Sequence, residues 1–148
     1  IKVTGVEDLV VLALAHARSP FRLYVEVGSR VPAFTSATGR LVAAYAGLPE
    51  MELARRFKVL AWDNAPDLET WMKEVRMVKR KGFAIDRGNY MSGVTVVAVP
   101  ILDALQRITH AIVALGVSDQ LSSTRAQALA ADLRQAADGL SQIPVGRA

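Results

Sequence analysis

Cysteine is absent from the 148 residues, histidine occurs twice and aromatic residues make up only 6%. Without cysteine there is no disulfide framework and no thiolate metal site, which suits a reducing cytoplasm. His16 and His110 lie on strand-like segments without a tight carboxylate cluster, so the usual set of acid, base and nucleophile is missing. There is no HExxH zinc motif, no phosphate-binding P-loop and no GxSxG elbow. No apolar run approaches the length of a membrane span, and the chain opens at Ile1 without a basic, signal-like segment. The 18 Lys and Arg against 14 Asp and Glu give a formal charge of +4, but the signs are mixed along the chain. That pattern argues against nucleic-acid binding by this segment itself. The expectation is a chain with no catalysis, no metal and no cofactor.

With 51% hydrophobic residues, the chain suffices for one core of two or three layers. Leu9–Ala15 (LVVLALA) and Phe21–Val27 (FRLYVEV) read as adjacent strands around a Ser19-Pro20 turn. Thr35 and Ser36 then offer caps for a small-residue helix that Gly47 stops, and Pro49 opens a short helix through Phe57. Asp67 is placed to cap Leu68–Lys81, where Leu68, Trp71, Met72, Val75 and Val78 recur at helical spacing before Gly82. Strand patterns return at Phe83–Ile85, Val94–Leu102 and Ile108–Val117, with Asp103–Arg107 joining the last two as a hairpin. Ser122–Ile143 closes the chain as an amphipathic helix. The order β-β-α-α-α-β-β-β-α favours an α+β fold, an antiparallel sheet covered by helices, over a doubly wound nucleotide fold.

Two stretches carry chemistry. At the start of the first helix, free backbone N–H groups and the hydroxyls of Thr35, Ser36 and Thr38 suit a carboxylate; equally, the hydroxyls cap the helix's own amides. Further on, Asp86 follows an apolar strand and precedes the irregular RGNYMSG segment. Its carboxylate either accepts bonds from a ligand or holds nearby backbone, and Tyr90 and Met91 form either an apolar lid or core packing. Asp63, Asp67 and Asp86 read as loop and cap residues rather than as a cation site. Arg30 attracts an anion or pairs with Glu26, and Arg40 reads as a helical surface residue.

The text GSRVPAFTSATGRLVAAYAGLPE, then VRMVKRKGFAIDRGNYMSGVTVVAVPILD, then HAIVALGVS, in this order and spacing over about Ser19–Gly146, resembles the C-terminal effector-binding domain of IclR-type bacterial transcriptional regulators. The resemblance implies a GAF-like antiparallel sheet flanked by helices, which binds a small organic effector and signals to an N-terminal winged helix-turn-helix. That DNA-reading domain and its linker are not found in this chain. Residues 1–148 therefore read as a truncated effector domain that contacts DNA only through the absent part and assembles as a homodimer or tetramer.

Carried over by motif, the effector positions are Phe34, Ser36, Ala37, Thr38 and Asp86, with Tyr90, Met91, Val96, Val113 and Leu115. The motif's lysine is Arg40 here, and its frequent histidine or tyrosine is Phe34. Relatives that take small keto acids resemble a serine pair where this chain has Val113 and Leu115. Two apolar side chains offer carboxylate oxygens no donors, so the resemblance implies an apolar or aromatic effector rather than glyoxylate or pyruvate. Two other readings remain open. One is a small-molecule enzyme using His16 with Asp86; the other is a ligand-free dimerisation domain whose cavity is filled by Phe34, Tyr90 and Met91.

Overall fold

The computed structural model describes residues 1–18 and 25–141. Its elements are β1 (Lys2–Val3), β2 (Asp8–Val10), β3 (Arg30–Pro32), α1 (Ser36–Tyr45), α2 (Glu50–Lys58), α3 (Leu68–Lys81), β4 (Ala84–Arg87), β5 (Val94–Leu102), β6 (Ile108–Val117) and α4 (Ser123–Ser141). A 3₁₀ turn at Ser118–Gln120 leads from β6 into α4. The six strands form one antiparallel sheet in the order β3-β2-β1-β6-β5-β4.

Period-two alternation sorts the central strands onto two faces. Ala84, Val94, Val96 and Ala98 pack beneath α1 and α3 with Ala37, Leu41 and Val78. Val97 points the other way, onto Ala126 and Ala130 of α4. Each fully buried valine or leucine contributes about 1.5–3 kcal/mol. A further cluster, around Phe57, Trp71 and Met72, ties α2 and α3 to the β2 end of the sheet through Leu9. Pro100 fits inside β5 because it faces Ala111, whose N–H and C=O turn away to bond Ile1, and because β4 pairs no further than Ala98. At a non-hydrogen-bonded position beyond the neighbouring strand, the missing N–H costs nothing.

Local signals account for α3. Asp67 Oδ1 accepts from Thr70 N–H at 3.0 Å and its Oδ2 from the Thr70 hydroxyl at 2.7 Å. Gly82 ends the helix in the left-handed region, φ 79°, with its N–H donating to the Val78 carbonyl at 2.7 Å. In α1 the controlling feature is close approach. A Cβ on Gly39 would collide with the Phe34 backbone carbonyl, so only glycine lets this helix fold back against the chain that enters it.

Several expectations need correction. The first strand covers Asp8–Val10 instead of Leu9–Ala15. Its partner is Arg30–Pro32, and the pairing ends after Val11, which exchanges bonds with Ser29 and Gly28 at 3.0 and 2.7 Å. Gly28, φ 90°, then turns the partner chain away. Leu12 and Leu14 are left exposed, because an apolar run without a partner backbone is not a strand. Of the segment Phe21–Val27, residues 21–24 lie outside the described residues, and Val25–Val27 form no strand. The next strand starts at Ala84 rather than Phe83 and continues through Asp86 to Arg87. α4 is described to Ser141, with Ile143 outside the described residues.

Arg40 is the largest departure. Every residue of α1 from Ser36 to Ala43 is buried, because the helix is enclosed by the sheet on one side and α3 on the other. Arg40 is therefore an interior residue, 1% exposed. Arg30 bonds Asp8 across the β2–β3 pair at 3.2 Å, not Glu26.

Candidate functional site

Strand register builds the floor of a cavity. Asp86, Val96 and Leu115 are direct neighbours across β4, β5 and β6, and Ala98 and Val113 form the adjacent row. One wall is the entry to α1, where Thr35, Ser36 and Thr38 line the space, and Tyr90 and Met91 close another side. The segment after β2, including Ala15 and His16, lies opposite. The space measures about 990 Å³ and is open to solvent along β6, where Val113 and Leu115 and also the opposite-facing Ile112 and Ala114 border it. Leu115, 48% exposed, marks its mouth at the outer edge of β6.

The α1 wall is polar and unsatisfied. Gly39 N–H makes the first helical bond, to the Thr35 carbonyl at 2.7 Å, so the N–H groups of Ser36, Ala37 and Thr38 precede the helical ladder. Thr35 holds the N-cap position without a side-chain cap bond. Its Oγ1 and the Ser36 Oγ are buried and have no partner among the described residues. Ser36 also has φ 57°, a left-handed conformation that a non-glycine residue adopts at a cost. Ser36 thus joins an unusual backbone conformation to a hydroxyl without a partner among the described residues, at a helix N-terminus that borders the cavity. The alternative, a self-capping hydroxyl, is not what the geometry contains.

Asp86 is anchored on both oxygens. Oδ1 accepts from Asn89 N–H at 2.8 Å and from Tyr90 N–H at 3.4 Å, while Oδ2 accepts from Arg40 Nη1 at 3.2 Å. It organises the Gly88–Gly93 segment and is not a free base. Glycines with φ 74° and 75° bound that segment. Asp63 and Asn64, between α2 and α3, clamp it from outside: Asn64 N–H reaches the Asn89 carbonyl at 2.8 Å, Asn64 Nδ2 reaches Ser92 Oγ at 2.8 Å, and Ser92 N–H reaches Asp63 Oδ2 at 2.7 Å. Trp62 stands edge-on to Tyr90 with ring centroids 6.4 Å apart. Sequence reasoning missed this clamp; its signal was the Asp-Asn pair, since such side chains bond loop backbone.

Of the positions expected to contact a ligand, Ser36, Thr38, Asp86, Tyr90, Met91, Val96, Val113 and Leu115 line one cavity. Phe34 and Ala37 do not. Phe34 is buried in the α2–α3 cluster with the Arg56 guanidinium 5.4 Å above its ring, and Ala37 is covered by the sheet. The histidines are apart: His16 borders the cavity, whereas His110 bonds Thr109 Oγ1 at 3.0 Å beside β1. Burial, together with the positive amino terminus and Lys2, holds His110 below its usual pKa. Among the described residues no group of three or more acidic or imidazole side chains is placed to hold a metal. No described helix is long and apolar enough to cross a membrane.

Residues 3–142 match the family described as bacterial transcriptional regulator IclR C-terminal. A probable transcriptional regulator, SauR from Cupriavidus necator, is 25% identical over 137 residues, covering 89% of this chain and 54% of that protein. The fold is shared with an IclR transcriptional regulator of Alicyclobacillus acidocaldarius, at TM-score 0.76 and 21% identity over 95% of this chain and 57% of the other. It is also shared with the inducer-binding domain of PobR from Acinetobacter, solved as a double mutant with 3-hydroxy benzoic acid, at TM-score 0.71 and 18% identity over 95% and 85% of the two chains. The chain spans about half the length of the curated relative it matches.

Proposed function

Because the chain belongs to the IclR C-terminal family of bacterial transcriptional regulators, we propose that its cavity binds a small organic acid with an apolar or aromatic body and that occupancy is the regulatory signal. The observation that carries this reading is the pair of buried hydroxyls on Thr35 and Ser36 at the start of α1, without partners among the described residues, lining the same cavity as the apolar Val96, Val113 and Leu115. A carboxylate at that end would take up the orphan donors and the positive end of the helix, while Val96, Val113 and Leu115 receive the body. The 3-hydroxy benzoic acid in the PobR domain's name is an acid of the same kind and supports the choice.

DNA reading in this proposal belongs to another part of the regulator, outside the 148 residues. The paired half-sites such proteins address call for a homodimer or tetramer. For the effector to regulate, it must bind two arrangements of that assembly with different affinity. A ligand-free dimerisation domain has less support, since Phe34 lies in another cluster, and Tyr90 and Met91 border an open cleft rather than filling it. An enzyme built on His16 and Asp86 is disfavoured because both Asp86 oxygens are engaged.

The test is a thermal-shift panel comparing benzoate, hydroxybenzoates and phenylacetate with glyoxylate and pyruvate. At a ligand concentration of about 100 times Kd the folded state gains roughly 2.7 kcal/mol. The reading expects a rise in Tm with an aromatic acid and little with the keto acids. A response to keto acids alone would reverse the ligand class.

A further inference from the structure

Arg40 does not line the cavity, yet its guanidinium contacts both sides of it. Nη1 donates to the Ser36 carbonyl at 3.1 Å, which is the polar wall, and to Asp86 Oδ2 at 3.2 Å. Nη2 donates to Asn89 Oδ1 at 3.0 Å, inside the Gly88–Gly93 segment. Nε donates to Glu74 Oε2 on α3 at 2.6 Å. Three elements, α1, α3 and β4, and the Gly88–Gly93 segment thus converge on one planar fork that is 1% exposed.

We infer that Arg40 is the positioning residue of this site: it fixes the strained Ser36 and the Tyr90–Met91 flap relative to each other, and so sets ligand affinity without touching the ligand. The inference rests on the proposed ligand site for its functional consequence. A salt bridge with Asp86 alone would not need an arginine. A lysine also carries a positive charge, but its three donors radiate from a single nitrogen. It cannot reach Ser36, Asp86, Asn89 and Glu74 together. Asp86 passes the constraint on, because the oxygen not bound to Arg40 accepts the Asn89 and Tyr90 N–H groups. With Gly88 and Gly93 supplying backbone freedom at both ends, the flap between them depends on such side-chain anchors. The outer clamp from Asp63 and Asn64 holds the same segment from the solvent side, so Arg40 is its interior counterpart.

The experiment is hydrogen exchange on the whole protein without ligand, read by mass spectrometry for peptides covering Gly88–Gly93 and Ala126–Leu133 of α4, in wild type, Arg40→Lys and Asn89→Ala. Both variants should speed exchange at Gly88–Gly93 at least tenfold and leave Ala126–Leu133 within twofold. Asn89→Ala keeps the buried ion pair and serves if Arg40→Lys does not fold, with Asn89→Asp as its control: both lose the Asn89 Nδ2 bond to the Asn64 carbonyl at 3.1 Å, but only aspartate keeps an acceptor for Arg40, so equal release in the two would overturn the inference. Equal flap exchange in wild type and the folded variants overturns the inference, and so does acceleration spread evenly over both peptides, which would make Arg40 a general support of the core. Calorimetric titration with 3-hydroxybenzoate is the second arm. A Kd at least fivefold weaker in Arg40→Lys, together with the faster flap, supports the positioning role. The same weakening with an unchanged flap overturns it in favour of direct contact. A wild type that binds no acid of the panel, with the flap still released in the variants, removes the proposed ligand and leaves the structural assignment of Arg40 standing.

Discussion

Arg40 of α1 and Asp86 of β4 meet in the interior as an ion pair 3.2 Å long, each side chain 1% exposed. Burying two charges is costly, and the additional bonds to Ser36, Asn89 and Glu74 offset that cost. Removing one partner leaves the other charge stranded. Arg40→Met should therefore lower stability by about 3–5 kcal/mol, measured by urea denaturation. The double variant Arg40→Met/Asp86→Leu should recover a substantial part of the loss. If the two substitutions instead add without coupling, the pair does not act as a unit.

Ser36 gives a prediction of opposite sign. Its φ of 57° is unfavourable for serine and free for glycine. Ser36→Gly should stabilise the ligand-free protein by roughly 1 kcal/mol and weaken acid binding through loss of the hydroxyl. A variant less stable than wild type in chemical denaturation would show that the backbone there is not strained.

At Gly39 the outcome is set by contact rather than by torsion. Gly39→Ala places a methyl group against the Phe34 carbonyl, which cannot move without shifting the entry to α1. A loss of about 3 kcal/mol, at the upper end for overpacking, is expected from equilibrium unfolding. Loss under about 1 kcal/mol would mean that the α1 entry is looser than described.

Acid sensitivity follows from three carboxylates held below their usual range. Hydrogen bonds from Arg55, and secondarily Arg56, bring Glu52 to about 2; the Thr70 hydroxyl and amide lower Asp67; and Arg107, through backbone and side chain, lowers Asp103. Each binds protons more weakly in the folded chain than in the unfolded one. Their stabilisation is thus fully present above the ordinary carboxylate values, near 4–4.5, and is lost as pH falls below them, for Glu52 towards about 2. Asp67→Asn should keep a cap on α3 while flattening the fall of Tm over that window. A slope identical to wild type would exclude Asp67 from the acid response.

What the sequence made legible was local. The Asp67 cap, the Gly82 stop and the Asp103–Arg107 hairpin each depend on neighbours within a few residues, and all three are in place. Val96, Val113 and Leu115 came from the family motif and not from the strand period, and the register sets them on a common face of the sheet. What escaped depends on distant partners. β1 and β3 are too short to show a pattern and exist because other strands bond them. Arg40 looked like a surface residue because charge usually means solvent, and the carboxylate that compensates it inside lies 46 residues along the chain. Phe34 looked like a cavity residue from its motif position, but the turn back to Gly39 directs it into the α2–α3 cluster.

In the proposed complex the orphan donors at the start of α1 receive the acid group of an apolar effector. The most direct test is calorimetric titration of the protein and its Thr35→Ala/Ser36→Ala variant with the aromatic acid that gives the largest thermal shift. Binding to the wild type should be saturable, one acid per chain, and at least tenfold weaker to the variant, about 1.4 kcal/mol, with its fold confirmed by circular dichroism. Equal affinity in the two proteins would contradict that contact and place the acid group elsewhere.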